Sequence, residues 1–270
     1  MKVFDVDCEL VYAVNGEPAD FIFNIEAAHH PDQRILEERL TSEPKYDFEH
    51  HVDAGTGMRL ARLVAKPGQL TIRYRALVET RYHRPTGHEE EVPVRLLPLE
   101  VTRYLWPSRY CESDSLQRLA MVHFGDLSKG YGRVESICQW VRENVQYAIG
   151  TSTPSTSVRD VLVNRAGVCR DFAHLCIALC RALNIPARLV TGYAQYEDPP
   201  PDFHAMFEAY LGGRWILFDS TRLSPEEDLI RIATTRDAAD AAFATLFGPI
   251  KFVSWRPDVY DADTRSHVNG

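Results

Sequence analysis

Residues 165–188 read RAGVCRDFAHLCIALCRALNIPAR and carry the clearest helical pattern in the chain. Apolar side chains recur at i, i+4, i+7 and i+11 from Phe172 to Leu183, a spacing that places them on one face of a helix. Pro186 lacks a backbone N–H and forbids continuation of that helix. The stretch therefore predicts an amphipathic helix from about Cys169 to Leu183, with one face turned to a core.

Helical spacing distinguishes the three cysteines of this stretch. Cys176 lies on the apolar stripe and Cys180 lies one turn further along, so we expect both to pack in the core. Cys169 lies in the first turn, where backbone N–H groups have no partner within the helix and the helix dipole favours an anion. A thiolate there could act as a nucleophile, with a backbone N–H facing a developing oxyanion. On position alone, a buried thiol without chemistry is the alternative.

The same spacing limits disulfide and metal roles. Cys169 and Cys176 would lie about 10 Å apart along a helix axis, beyond the roughly 7 Å between Cα atoms that a disulfide allows. Cys176 and Cys180 could supply at most half of a metal site, and neither a C-x-x-C nor an H-x-x-x-H pair occurs. We therefore expect no metal and no organic cofactor. A metal or redox sensor that uses these cysteines is an alternative hypothesis.

A histidine and a carboxylate follow about 35 residues after Cys169, in FHAMFEAYLGGRWILFDST, residues 203–221. The Gly-Gly pair at 212–213 predicts a two-residue hairpin turn between two strands. With that turn, His204 and Asp219 become diagonal neighbours on one face of the sheet, about 7–8 Å apart between backbones. Register therefore predicts a contact between these two side chains, although each residue alone would more often be structural.

Two further titratable residues lie near this candidate pair in the sequence. Glu208 is on the same predicted strand face as His204 but is a less direct partner than Asp219. His174 is five residues from Cys169, about 140° around the helix, so we expect it to face elsewhere.

In the first hundred residues, apolar side chains recur with a period of two instead of the helical period. Apolar and polar residues alternate in FDVDCELVYAV (residues 4–14) and in QLTIRYRALV (residues 69–78), a pattern of antiparallel strands with one wet face. A proline-rich connector at about 84–107 separates this part from a region of helical and strand patterns. We therefore expect an α+β protein with an N-terminal antiparallel β-sandwich at 1–100 and a mixed α+β domain at 101–270.

Composition and charge exclude several classes of partner. The formal net charge is −8 and no basic block occurs, so we expect no nucleic-acid partner. No apolar run approaches the roughly 18 residues of a membrane span, and the opening MKVFDVDCEL lacks a signal-peptide core. We therefore expect a cytoplasmic protein without membrane contact and with reduced thiols.

These residues resemble the transglutaminase-like superfamily, within the papain-like cysteine enzymes. The matching pieces are GVCRDFAHL, NIPARLVTGY and FHAMFEAYLGGRWILFDSTR, which follow the Cys…His…Asp order of that family, and PGQLTIRYRALVE resembles the β-rich domain of many bacterial members. The resemblance implies a transglutaminase-like (papain-like) core with Cys169 as nucleophile. It implies that His204 acts as general base and then acid, and that Asp219 orients His204.

Two positions depart from the family pattern. Met206 stands where many members have Trp, which could reshape the pocket beside the triad, and Ser220 replaces the proline of the usual Asp-Pro-Thr. The family's upstream oxyanion donor is not placed by the sequence, and Tyr147 and Trp140 are both candidates.

The resemblance implies thiol acyl transfer on a peptide, isopeptide or side-chain amide bond of a peptide or protein substrate. We expect hydrolysis, because water is the default acceptor unless an amine site is built. Crosslinking, in which a glutamine acyl group passes to a lysine amine, stays open because both reactions use the same triad. A second alternative is an inactive scaffold whose β-sandwich serves as a binding module. The sequence leaves the oligomeric state open.

Overall fold

A computed structural model describes residues 1–196, 198 and 202–262. The strands are β1 (Lys2–Val14), β2 (Ala19–Phe23), β3 (Gln33–Glu43), β4 (Glu49–Val52), β5 (Arg59–Ala65), β6 (Gly68–Thr80), β7 (Gln146–Tyr147), β8 (Ala166–Gly167), β9 (Ala187–Tyr193), β10 (His204–Leu211), β11 (Arg214–Phe218), β12 (Ile230–Thr235), β13 (Ala244–Phe247) and β14 (Ile250–Asp261). The helices are α1 (Leu99–Thr102), α2 (Gln117–Phe124), α3 (Tyr131–Asn144), α4 (Val158–Asn164) and α5 (Cys169–Ala182).

Two antiparallel sheets form the N-terminal sandwich, with strand orders β14-β1-β6-β3 and β13-β2-β5-β4. Alternate residues of β1 are buried, as the period-two pattern predicts. Tyr12 on one sheet contacts Phe21 and Phe23 on the other, with ring centroids 5.3 and 6.0 Å apart. The predicted β-sandwich is therefore confirmed.

The sandwich also takes in strands from the far end of the chain. Strand β14 pairs with β1 from Phe4↔Asp261 to Val14↔Ile250, and β13 pairs with β2. Residues 244–261 thus lie in the sheets of the sandwich, whereas the division at residue 100 assigns them to the second domain.

A third sheet of order β11-β10-β9-β12 packs against α5. The helix begins at Cys169, as the sequence predicts, and ends at Ala182. Helices α2, α3 and α4 cover the side of α5 that the sheet leaves open, so nearly the whole helix is buried rather than one face. The predicted α+β class is confirmed.

Polar contacts join the core sheet to the sandwich. The Tyr193 hydroxyl donates to the Ile25 carbonyl at 2.6 Å, and the Gln33 amide bonds the backbone of Arg231 in both directions, at 3.0 and 2.9 Å. Because both contacts are buried, they fix the sandwich against the sheet that carries the candidate site. Within the described residues, no helix is both long and apolar enough to cross a membrane.

Candidate active site

The β10–β11 hairpin holds His204 beside Asp219. Both glycines of the turn at 212–213 have positive φ, 58° and 82°, as a type I′ turn requires, and the register pairs Leu211 with Arg214. His204 Nε2 lies 3.0 Å from Asp219 Oδ2, and both side chains are buried. The predicted register and the predicted contact are both confirmed.

Four donors surround the Asp219 carboxylate. Oδ1 accepts from the backbone N–H and the hydroxyl of Thr221, at 2.8 and 2.6 Å, and Oδ2 accepts from the Ser224 N–H at 3.1 Å as well as from His204. Burial opposes ionisation of the carboxyl, but the hydrogen bonds and charge of His204 and the bonds from Thr221 outweigh it and lower the pKa of Asp219. The carboxylate is therefore anionic at neutral pH. Ser220 in place of proline leaves the Thr221 contacts intact.

His204 gains a proton in this setting. Burial of the ring opposes protonation, but the Asp219 hydrogen bond and the neighbouring Cys169 outweigh it and raise the pKa of His204 to about 10. Nε2 faces Asp219, and Nδ1 makes no hydrogen bond of standard geometry within the described part of the chain. Cys169 nevertheless contributes to the raised pKa of His204, so we infer that the thiol lies on the Nδ1 side of the ring. Such a contact is often long before substrate binds.

Cys169 is the first residue of α5 and is 9% exposed. Its Sγ lies 3.9 Å from the carbonyl oxygen of Phe203, the residue before His204. The Asp171 carboxylate accepts the Val168 N–H at 2.9 Å and so caps the helix. A Cβ at Gly167 would lie 2.7 Å from the Asp171 Cβ, which explains the glycine at the entry to the helix. The cysteine is thus fixed at the positive end of the helix dipole.

Tyr147, in β7, lies against Cys169. Its hydroxyl interacts with both the thiol and the backbone N–H of Cys169, and burial together with Cys169 raises the pKa of the phenol. Trp140, the other candidate oxyanion donor, instead packs against His123 and Phe124, with ring centroids 5.2 and 6.1 Å away. Of the two candidates from the sequence, the structure brings only Tyr147 to the cysteine.

Tyr196 is a site residue that the sequence did not single out. Its ring centroid is 5.5 Å from that of His204, and its hydroxyl donates to the Asp202 carbonyl at 2.9 Å and accepts from the Asp202 N–H at 3.0 Å. The tyrosine thereby holds the backbone just before Phe203 and His204. Its position at the predicted end of a strand gave no signal for this role.

Two residues close to His204 in the sequence, Glu208 and Met206, have other partners. Glu208 accepts from Arg188 and Arg231, each at 2.7 Å, and so does not partner His204. Met206 is fully buried among apolar residues, including Val190 and Leu217. Met206 therefore serves the packing behind the sheet.

The remaining histidine and cysteines of α5 are core residues. The spacing predicts this for Cys176 and Cys180, whereas for His174 it predicts only a direction away from Cys169. His174 stacks on Tyr110 and accepts the Ala238 N–H at 3.1 Å. Cys176 and Cys180 are fully buried, and burial raises the pKa of both thiols. Among the described residues, no group of three or more His, Cys, Asp or Glu side chains is placed to hold a metal ion.

Fold and site together define an α+β protein in which a cysteine at a helix N-terminus meets a buried histidine–aspartate pair on a hairpin. A family model described as the transglutaminase-like superfamily matches residues 122–220, and one described as the bacterial transglutaminase N-terminal domain matches residues 1–100. The crystal structure of a proposed cysteine protease from Cytophaga hutchinsonii is 44% identical, with 97% of this chain and 91% of that chain covered and a TM-score of 0.91.

Mycobacterial relatives are also similar to the chain. An uncharacterised protein of Mycobacterium leprae is 25% identical over 224 residues, which is 78% of this chain and 79% of the relative. An uncharacterised protein of Mycobacterium tuberculosis is 51% identical over 55 residues, which is 20% of this chain and 17% of the relative. With the family models and the solved structure, the conclusion is plain: the chain belongs to the transglutaminase-like superfamily.

Proposed function

We propose that the protein is a cysteine-nucleophile acyl-transfer enzyme that hydrolyses peptide, isopeptide or side-chain amide bonds. One observation carries this proposal: the buried His204–Asp219 pair, 3.0 Å apart, lies beside Cys169 at the N-terminus of α5. In this proposal Cys169 is the nucleophile, His204 the acid and base, and Asp219 the residue that orients His204. The substrate is a peptide or protein that bears the amide.

The reaction runs in two half-reactions. The Cys169 thiolate attacks the amide carbonyl carbon, and the C=O bond opens to an oxyanion. The protonated His204 ring then gives its proton to the amide nitrogen, the C–N bond breaks, and a thioester remains. In the second half, neutral His204 takes a proton from water, the hydroxide attacks the thioester, and the carboxylic acid leaves as the thiolate–imidazolium pair reforms. No cofactor takes part in either step.

Two hydrogen-bond donors lie close to Cys169 and are available to stabilise the oxyanion. The backbone N–H of Cys169 points out of the first turn of α5, and the Tyr147 hydroxyl lies beside both that N–H and the thiol. We therefore assign the Cys169 N–H and the Tyr147 O–H as the oxyanion donors.

The likeness to the Cytophaga hutchinsonii protein, a proposed cysteine protease, supports the choice of water as acceptor. Incubation with a glutamine-containing peptide and a labelled primary amine distinguishes the acceptors. We expect glutamate or cleaved peptide as the product. Incorporation of the amine without release of glutamate would instead establish the crosslinking activity of a protein-glutamine γ-glutamyltransferase.

Alkylation by iodoacetamide near neutral pH, with the modified cysteine mapped by mass spectrometry, tests the nucleophile itself. We expect rapid alkylation of Cys169 alone, slowed in His204→Ala. His83→Ala is the matched control, because that ring is 71% exposed and lies outside the site. Equal labelling of several cysteines, or no effect of His204→Ala, would favour the inactive scaffold.

A further inference from the structure

Two aromatic side chains of β14 form an open surface at the edge of the sandwich. Trp255 and Phe252 are 49% and 40% exposed, with ring centroids 4.8 Å apart. Their partners across the β1–β14 ladder are Leu10 and Tyr12, which are both buried. Residues paired across a ladder project from the same face of a sheet. The two aromatic rings therefore lie on the face of the sheet that packs in the sandwich core, at a point where the described residues leave this face uncovered.

This surface adjoins the candidate active site through one residue. Burial raises the pKa of the Asp202 carboxyl, and an interaction with the Trp255 side chain opposes that rise, so the indole lies beside this carboxyl. Asp202 directly precedes Phe203, whose carbonyl oxygen lies 3.9 Å from the Cys169 sulfur. Since an indole has a single polar group, its N–H, a Trp255 ring beside Asp202 keeps an apolar face for another molecule.

The chemistry of the two rings selects the kind of group that fits there. Aromatic rings at this separation bind a further aromatic or large aliphatic side chain by apolar contact and ring packing. An anionic side chain would lose hydration there and would face the electron-rich rings without an ionic partner. Phe203 and Asp202 are consecutive residues that lie between Cys169 and Trp255, so a peptide whose amide lies at Cys169 is the occupant that this surface adjoins.

We propose that Trp255 and Phe252 bind an aromatic or large aliphatic side chain of the acyl-donor peptide, within a few residues of the scissile amide. This inference rests on the proposed function and adds a substrate preference to it. It also assigns the last strand of the sandwich to substrate recognition.

A panel of peptide electrophiles tests the preference. N-acetyl-tetraglycyl chloromethyl ketone is the reference, and in four further probes one glycine at a time is replaced by phenylalanine. The readout is the rate of Cys169 alkylation by each phenylalanine probe divided by the rate of the reference probe in the same protein. Any change in the intrinsic reactivity of Cys169 cancels in this ratio.

We expect at least one phenylalanine position to react about three- to tenfold faster than the reference. Trp255→Ala and Phe252→Ala should both bring that ratio close to one. Phe252→Ala is the cleaner variant, because Phe252 does not contact Asp202 through a polar group. Trp106→Ala is the matched control, since Trp106 is 57% exposed and lies outside the site, and it should keep the ratio.

Three results would overturn the inference. One is a panel without any phenylalanine preference, and another is a preference that survives in both β14 variants. The third is size-exclusion chromatography in which the protein is a dimer that Trp255→Ala dissociates, without any probe preference, because the occupant is then a second copy of the chain. Failure of the proposed function would look different: neither iodoacetamide nor any probe would select Cys169 over the other cysteines.

Discussion

Replacement of Asp219 by asparagine tests the electrostatic basis of the site. Each described hydrogen-bond partner of the carboxylate is a donor: the Thr221 N–H and hydroxyl, the Ser224 N–H and the protonated His204 ring. An asparagine has one oxygen and one NH₂ group, so in Asp219→Asn a donor must face a donor whichever way the amide is turned. The substitution thus removes the negative charge and also turns an N–H of the new amide towards another hydrogen-bond donor.

The loss can be estimated from the contact with His204. A hydrogen bond between charged groups contributes about 1.5–3 kcal/mol, and about 1.4 kcal/mol corresponds to a factor of ten. Burial lowers the pKa of His204, and without the Asp219 bond only Cys169 counters that effect. The pKa of His204 therefore falls from about 10. We therefore expect Asp219→Asn to slow the alkylation of Cys169 at about pH 6 by roughly ten- to a hundredfold.

The assay is iodoacetamide alkylation followed by mass spectrometry, together with a thermal melt that shows whether the variant is folded. Asp240→Asn is the control. The Asp240 side chain is half exposed, and its ion-pair partner is Arg236 rather than His204. If the folded Asp219→Asn protein is alkylated at the wild-type rate, Asp219 does not hold the charge on His204 and the proposed mechanism is wrong.

Three further outcomes are expected. Tyr147→Phe should lower acyl transfer by about 10²- to 10³-fold while the protein remains folded, measured as turnover of an amide substrate; an unchanged rate would remove Tyr147 from the oxyanion site. Glu208→Gln should lower the free energy of unfolding by about 3–5 kcal/mol in urea titrations at neutral pH, because it removes the negative charge shared by the buried Arg231 and the part-buried Arg188. Burial opposes ionisation of Glu208, but those arginines lower its pKa to about 2, so the stabilisation is present above about pH 4.3 and is lost as the pH falls towards 2. Gly167→Ala should lower both the melting temperature and the alkylation rate of Cys169, because its Cβ would lie 2.7 Å from the Asp171 Cβ; a variant with wild-type values would show that the loop adapts.

Local signals in the sequence account for the parts of the site that were predicted. The Gly-Gly turn at 212–213 fixes a hairpin register over a few residues, so the contact between His204 and Asp219 follows from counting. The start of α5 at Cys169 follows from helical periodicity and a helix stop in the same short stretch. In both cases the interacting residues lie within one supersecondary unit.

Contacts between distant segments were not predictable in the same way. Leu10 pairs with Trp255 across nearly the whole chain, and a single sequence carries no signal for which of many alternating strands will pair. Glu208 shows the same limit, because its burial depends on Arg231 in a strand that joins the sheet from the other side of β9. The environment of a residue that is decided by tertiary partners cannot be read from its neighbours in sequence.

The pairing of β14 with β1 connects the N-terminal sandwich to the candidate active site. It brings the strand that contains Trp255 back to Asp202, two residues before His204, so the sandwich contributes to the wall of the candidate site. The apolar core is continuous as well, since one buried cluster runs from Phe4 to residues of α5. A fragment beginning at residue 101 would leave β14 without its partner strand and would open this shared core to water. The sandwich therefore shares its hydrophobic core with the catalytic-type domain, and under the role proposed for Trp255 it would also take part in substrate binding.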